Sequence, residues 1–178
     1  MSTRAFFLTL ATLFAPMAQG EICDGIPARP QEPARIQVPC TEAGWMHKDY
    51  PGHFALCLPD DLIESSSPGD STISAHFERS DLSVLIDYSQ YADDLMHYQR
   101  NPDYLEWASI WWEPMWMRFV SFTSDTDAER PYRIASFVPN IDTNLRLNIF
   151  VFAKNCDGIR QGYALLRSVA VTHEHRGN

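Results

Sequence analysis

Trp107 to Phe119 reads WASIWWEPMWMRF and holds four of the chain's five tryptophans. The fold class turns on whether this run is helix or strand. Working back from it, apolar residues recur at Tyr91, Leu95, Tyr98, Tyr104, Leu105, Ala108, Trp111 and Trp112. That spacing predicts a helix over Tyr91–Glu113. Pro102 interrupts it and Pro114 ends it, because neither has a backbone N–H to donate. On such a helix Trp107 and Trp111 are i and i+4, so they share the face laid on a sheet. Trp112, Met115 and Trp116 bracket Pro114 at the helix end. Large apolar residues that reach solvent there make good interface anchors.

Working forward, Met115–Phe122 (MWMRFVSF) reads as a strand, and so do Tyr132–Val138 (YRIASFV) and Leu145–Ala153 (LRLNIFVFA). Upstream, Phe54–Leu58 (FALCL) alternates like a strand and stops at Pro59-Asp60-Asp61. Thr72–Glu78 and Leu82–Tyr88, with a short polar break between them, predict an antiparallel hairpin. Trp45–His53 reads as a lead-in loop, Ser65–Asp70 as a turn and Asp157-Gly158 as another. Ile159, Tyr163, Leu166 and Val169 are at helical spacing. Strands grouped together, without regular alternation with helices, predict an α+β fold. We expect a mostly antiparallel sheet of about six strands with helices packed on one face. No glycine-rich phosphate loop accompanies it.

The first twenty residues carry the marks of an export signal. Arg4 precedes the apolar run AFFLTLATLF, Pro16 breaks it, and Ala18-Gln19-Gly20 supplies small residues for cleavage. Glu21 would then begin the mature chain. The run is shorter than the roughly 20 residues a bilayer span needs, and Glu21-Ile22 before Cys23 is not a lipobox. Residues 21–53 carry Pro27, Pro30, Pro33 and Pro39 and read as an extended arm. Residues 54–172 are the α+β domain, and 173–178 are a charged tail. Without Arg4, thirteen basic residues stand against twenty-three acidic ones, a formal charge of −10. Such a surface repels phosphate backbones, which argues against nucleic acid, and suits a basic protein partner.

Four cysteines in an exported chain predict two disulfides. Of the three pairings, we favour Cys23–Cys40, which would pin the arm, with Cys57–Cys156, which would join neighbouring strands. The spacing fits neither a zinc site nor a redox pair.

FALCLPDDL (Phe54–Leu62), LIDYSQYADDL (Leu85–Leu95) and LNIFVFAKN (Leu147–Asn155), with a closing helix ending in LLRSV, resemble small exported bacterial proteins of the PsbP-like fold. The resemblance spans about Phe54 to Val171. It departs from the pattern at Glu129-Arg130-Pro131, where an Asp-Gly turn is expected. It implies a scaffold used chiefly for protein binding, often without catalysis, and brings no catalytic residues.

Chemistry-bearing motifs are sparse. Asp93-Asp94 and Asp125-Asp127-Glu129 are the densest acidic spots. The second group is a candidate patch for a basic partner. As a calcium loop, DTDAE lacks the glycine turn and the distal glutamate. His173 and His175 sit in the tail, and His76 reads as a surface residue. Asp87 is the one acid in a strongly apolar strand. No nucleophile elbow is present. We expect a periplasmic or secreted, non-enzymatic protein without cofactor or metal. Its protein-binding site would comprise Trp112, Met115, Trp116, Asp125, Asp127 and Glu129. A sharper form is an inhibitor or immunity protein against a cell-wall-active enzyme or toxin. The alternatives are an envelope polysaccharide or peptidoglycan hydrolase and a carrier of a small apolar ligand.

Overall fold

The computed structural model describes Cys23, Cys40 and residues 43–65, 73–97, 104–112, 115–124, 127–139 and 144–171. The expected export signal, most of the proline-rich arm and the charged tail lie outside them. Along the described chain come β1 (Trp45–Tyr50), β2 (Phe54–Pro59), β3 (Ile63–Ser65), β4 (Ile73–Glu78), β5 (Leu82–Ser89), β6 (Tyr104–Trp112), β7 (Met115–Thr123), β8 (Tyr132–Pro139), β9 (Arg146–Ala153), α1 (Cys156–Arg167) and β10 (Ala170–Val171). They form an antiparallel seven-stranded sheet, ordered β3-β4-β5-β9-β8-β7-β6, and a three-stranded sheet, β1-β2-β10. The fold is α+β and mostly antiparallel, as expected, but with more strands and one helix among the described residues.

The tryptophan run decides the difference. Tyr104–Trp112 is strand, not helix, and pairs antiparallel with β7 from Tyr104↔Phe122 to Trp112↔Met115. Aromatic and β-branched residues favour a pleated surface, and Trp107, Ser109 and Trp111 alternate. The helical count drew on residues from both sides of the strand. The turn at Glu113-Pro114 lies outside the described residues. Upstream, Tyr91–Leu95 is irregular rather than α-helical, and Met96–His97 lie in a 3-10 turn. The loop expected at Trp45–His53 is instead β1 and a hairpin turn. The His53 N–H donates to the Tyr50 carbonyl (3.0 Å), with Pro51 second and Gly52 third at φ +79°. Glycine accepts that φ without strain, as a type II turn requires.

One face of the large sheet carries the core. Val84, Ile86, Ile149, Val151, Ile134 and Met117 line it, and Phe54, Leu56 and Leu58 of β2 close it, with the Phe54 ring 5.3 Å from that of Tyr88. Helix α1 completes this layer, burying Gly158, Ile159, Gly162, Leu165 and Leu166. It starts at an Asn155 cap whose side chain accepts the Gly158 N–H at 2.9 Å. Gly158, read above as part of a turn, is therefore in the first helical turn. A Cβ on Gly158 would stand 2.8 Å from the Ala153 Cβ, and one on Gly162 would stand 2.8 Å from Val151 Cγ1. These two glycines let the helix backbone lie directly on β9.

Both disulfides form, but in the third pairing: Cys23–Cys156 and Cys40–Cys57. The premise that Cys57 and Cys156 sit on neighbouring strands fails, because β2 belongs to the small sheet and Cys156 opens α1. The pair Cys23–Cys156 ties the arm to the helix start. Two disulfides fit an oxidising compartment. No helix among the described residues is long and apolar enough to cross a membrane.

Candidate functional site

Helix α1 and β2 pack on one face of the large sheet, which leaves the other for function. Cross-strand register sets that face in rows. One row is Glu78, Ser83, Phe152, Arg133 and Phe122; the next is His76, Leu85, Phe150, Ala135 and Val120; the third is Ser74, Asp87, Asn148, Phe137 and Arg118. Phe150 and Phe152 are half-buried. The Arg133 guanidinium stands 5.4 Å from the Phe152 ring centre and that of Arg118 stands 5.6 Å from the Phe137 ring. Such cation–π contacts hold a cation over apolar surface.

Part of the face is covered by the segment after β5. Asp93 N–H donates to Asn148 Oδ1 (2.7 Å), and Asn148 Nδ2 returns a bond to the Asp93 carbonyl (2.9 Å). Arg118 donates to the Asp94 carbonyl. Leu95 is fully buried against Val120, Ala135 and Phe137. It holds φ at +60°, in the left-handed region rarely used by branched residues. Residues 91–97 thus form a strap with Ala92 and Leu95 turned inward and Tyr91, Asp93, Asp94, Met96 and His97 exposed.

A polar cluster occupies the β3 side. His76 Nε2 lies 2.8 Å from Ser83 Oγ, and its Nδ1 lies 3.0 Å from Ser65 Oγ. His76 is therefore half-buried and engaged, not a free surface residue. A serine bonded to a histidine is the unit of nucleophilic catalysis. Here Ser83 is only 3% exposed. The second ring nitrogen meets a hydroxyl rather than a carboxylate, and Glu78 stands 3.9 Å from Nε2, on the serine side. The arrangement serves as a bridge across β3, β4 and β5. Asp87 is half-buried, with one carboxylate oxygen sealed and without a hydrogen-bond partner.

Among the described residues, Tyr50 and Arg79 have displaced pKa values. Burial pushes the Tyr50 phenol up to about 12, with the nearby Glu64 carboxylate adding to it. Burial works to lower the Arg79 pKa, but hydrogen bonds to Asp81 and Asp61 outweigh it and hold the guanidinium above its ordinary value. Arg79 also donates to Gln161 at 2.6 Å, tying the β4–β5 turn to α1. Among the described residues no group of His, Cys, Asp and Glu is placed to hold a metal ion. His173 and His175 lie outside them.

The sequence-predicted partner site is split. Trp112 and Met115 are the innermost pair of the β6–β7 hairpin, and Trp116 pairs with Trp111. The exposure of these side chains lies outside what is described. Trp111, grouped with Trp107 on helical spacing, is the cross-strand partner of Trp116. Asp127 and Glu129 follow the far end of β7. Its nine residues put them about 27 Å from the hairpin tip. Asp127 is also occupied, accepting the Arg130 N–H at 3.1 Å and pairing with Arg133 at 3.3 Å. Glu129 is exposed, and Asp125 is outside the described residues. Asp93 and Asp94 lie closer to that end, since Arg118, three residues along β7 from Met115, donates to the Asp94 carbonyl. Sequence reasoning named that pair but placed it on a helix.

No protein-family model matches the chain, and no curated protein matches it in sequence. Among solved structures, it is similar to the Ran-binding protein Mog1p of Saccharomyces cerevisiae, with a TM-score of 0.48 and 9% identity, over 71% of this chain and 95% of that one. This likeness is too limited to establish the PsbP-like assignment drawn from the motifs.

Proposed function

We propose that this is an exported, non-enzymatic protein that binds a basic protein of the cell envelope along the outer edge of β6 and the tip of the β6–β7 hairpin. The contrast between the two edges of the large sheet supports this reading. An exposed edge strand offers unpaired N–H and C=O groups to any passing strand, so proteins blunt their edges with short strands, lysine or proline. The β3 edge is blunted: it is three residues long, and its Glu64 is ion-paired to Lys48 at 2.6 Å. The β6 edge is nine residues long, YLEWASIWW, with Glu106 its only charge and neither lysine nor proline. No strand among the described residues pairs with its outer side. A partner strand can add there, taking affinity from main-chain bonds and specificity from alternate side chains. The chain's formal charge of −9 favours a basic partner. In its sharper form the protein is an inhibitor or immunity protein for a wall-active enzyme or toxin.

The test is affinity capture of the tagged mature protein from its own envelope, read by mass spectrometry. A Trp112→Ala/Trp116→Ala variant runs alongside. We expect one stoichiometric basic partner, lost from the variant while its Tm stays close to wild type. A capture without a partner overturns the reading, and so does a partner that the variant retains.

A further inference from the structure

We propose that the strap Tyr91–His97 is the second half of the partner surface, seating a basic segment of the same partner that docks on β6. This rests on the protein-binding reading. Exposure supplies the first observation. Among the residues whose side-chain exposure is described, three large apolar side chains stand well exposed, and two of them, Tyr91 (82%) and Met96 (42%), are on this strap. Aromatic and methionine side chains so placed act as interface anchors.

Rigidity supplies the second. The strap is pinned by Asn148, by Arg118 and by the inward Leu95, and its own carboxylates cap the Leu95 and Met96 N–H groups at 2.8 and 2.9 Å. An exposed surface already held in shape spends little ordering entropy on binding. The left-handed Leu95 is strain retained in the strap and borne by those anchors.

Charge and position commit the occupant. Between the two apolar side chains stand the Asp93 and Asp94 carboxylates, exposed to solvent. The Arg118 guanidinium lies beneath the strap, bonded to the Asp94 carbonyl and set over the Phe137 ring. Outward, the strap shows carboxylates flanked by a phenol ring and a thioether, complementary to a segment of lysine or arginine with apolar neighbours. Arg118 is also three residues along β7 from the hairpin tip, so the strap and the β6 edge lie within one footprint of a single partner.

Photo-crosslinking tests this. The full chain carries p-benzoylphenylalanine in separate variants at Tyr91, Met96, Trp112 and Ile63, and is expressed in its own cells and irradiated. The third exposed apolar residue, Ile63, is on the opposite edge and serves as the control. The expected result is the same basic protein, identified by mass, joined at 91, 96 and 112 and absent at 63. With that protein purified, Tyr91→Ala/Met96→Ala should weaken binding about tenfold or more. Adducts at 112 but not at 91 or 96 overturn the strap and leave the β6 reading standing. Adducts at none of the three overturn both. An adduct of the chain with itself, or with an acidic protein, overturns the stated occupant.

Discussion

Replacing Gly162 with valine should lower stability by about 3 kcal/mol or more and the Tm by roughly 6–12 °C. The cause is contact, not propensity. Gly162 lies where α1 crosses β9, and even a Cβ there would stand 2.8 Å from Val151 Cγ1 and 3.1 Å from Ile134 Cδ1. Val151 is a fully buried, short branched residue in the middle of its strand, with nowhere to swing. The helix must lift, which opens the layer that also holds Ile159, Leu165 and Leu166. Gly162→Ala separates the effects. Alanine gains about 1 kcal/mol in helix propensity, which offsets part of the overpacking, so its loss should be much smaller. Thermal unfolding followed by circular dichroism reads both. Equal Tm values for wild type and the valine variant would contradict the close helix–sheet approach.

The second large effect is expected at the long disulfide. Cys23–Cys156 closes 133 residues and Cys40–Cys57 closes 17. In the chain-entropy account these contribute about 5 and about 3 kcal/mol. Cys23→Ser/Cys156→Ser should therefore cost more than Cys40→Ser/Cys57→Ser, with a fall in Tm of about 10–20 °C. Packing acts in the same direction, because Cys23 is buried in the main core cluster. Peptide mapping without reductant checks the pairing itself. Peptides joining Cys23 to Cys40 would contradict the structure.

How much was legible in the sequence follows from which signals are local. β2, β4, β5, β7, β8, β9 and α1 were all readable, since each announces itself by alternation or by helical spacing within a few residues. β6 was not. Its tryptophans satisfy a period of 3.6 when Tyr91, Leu95 and Tyr98 are counted with them, and only pairing with β7 shows those residues to belong to separate elements. The available clue was the interval between Trp112 and Met115, a two-residue break between β-rich runs. β3 is only three residues long, and β1 (WMHKDY) lacks clear apolar alternation. The disulfide pairing depends on which layer each cysteine joins, which is a tertiary fact.

The residues proposed for partner binding fall at two places in the fold. Trp112, Met115 and Trp116 do come together at one hairpin tip, because they are close in sequence. Asp127 and Glu129 were joined to them by proximity in sequence as well, yet an extended β7 carries its two ends apart. Asp93 and Asp94 stand well before Trp112 in sequence, and the strap that brings them near depends on Asn148 and Arg118, on other strands. Asp127 was further disguised because its task is internal, holding Arg130 and Arg133.

The account stands most directly on whether a partner strand adds to β6. Backbone amide exchange over Tyr104–Trp112, with and without the partner recovered from the envelope, reads this. Edge addition predicts that outward-facing amides of β6 slow on binding while those of β3 at the opposite edge do not. Unchanged exchange along β6 in the saturated complex, with protection appearing at β3 or over α1, would contradict it.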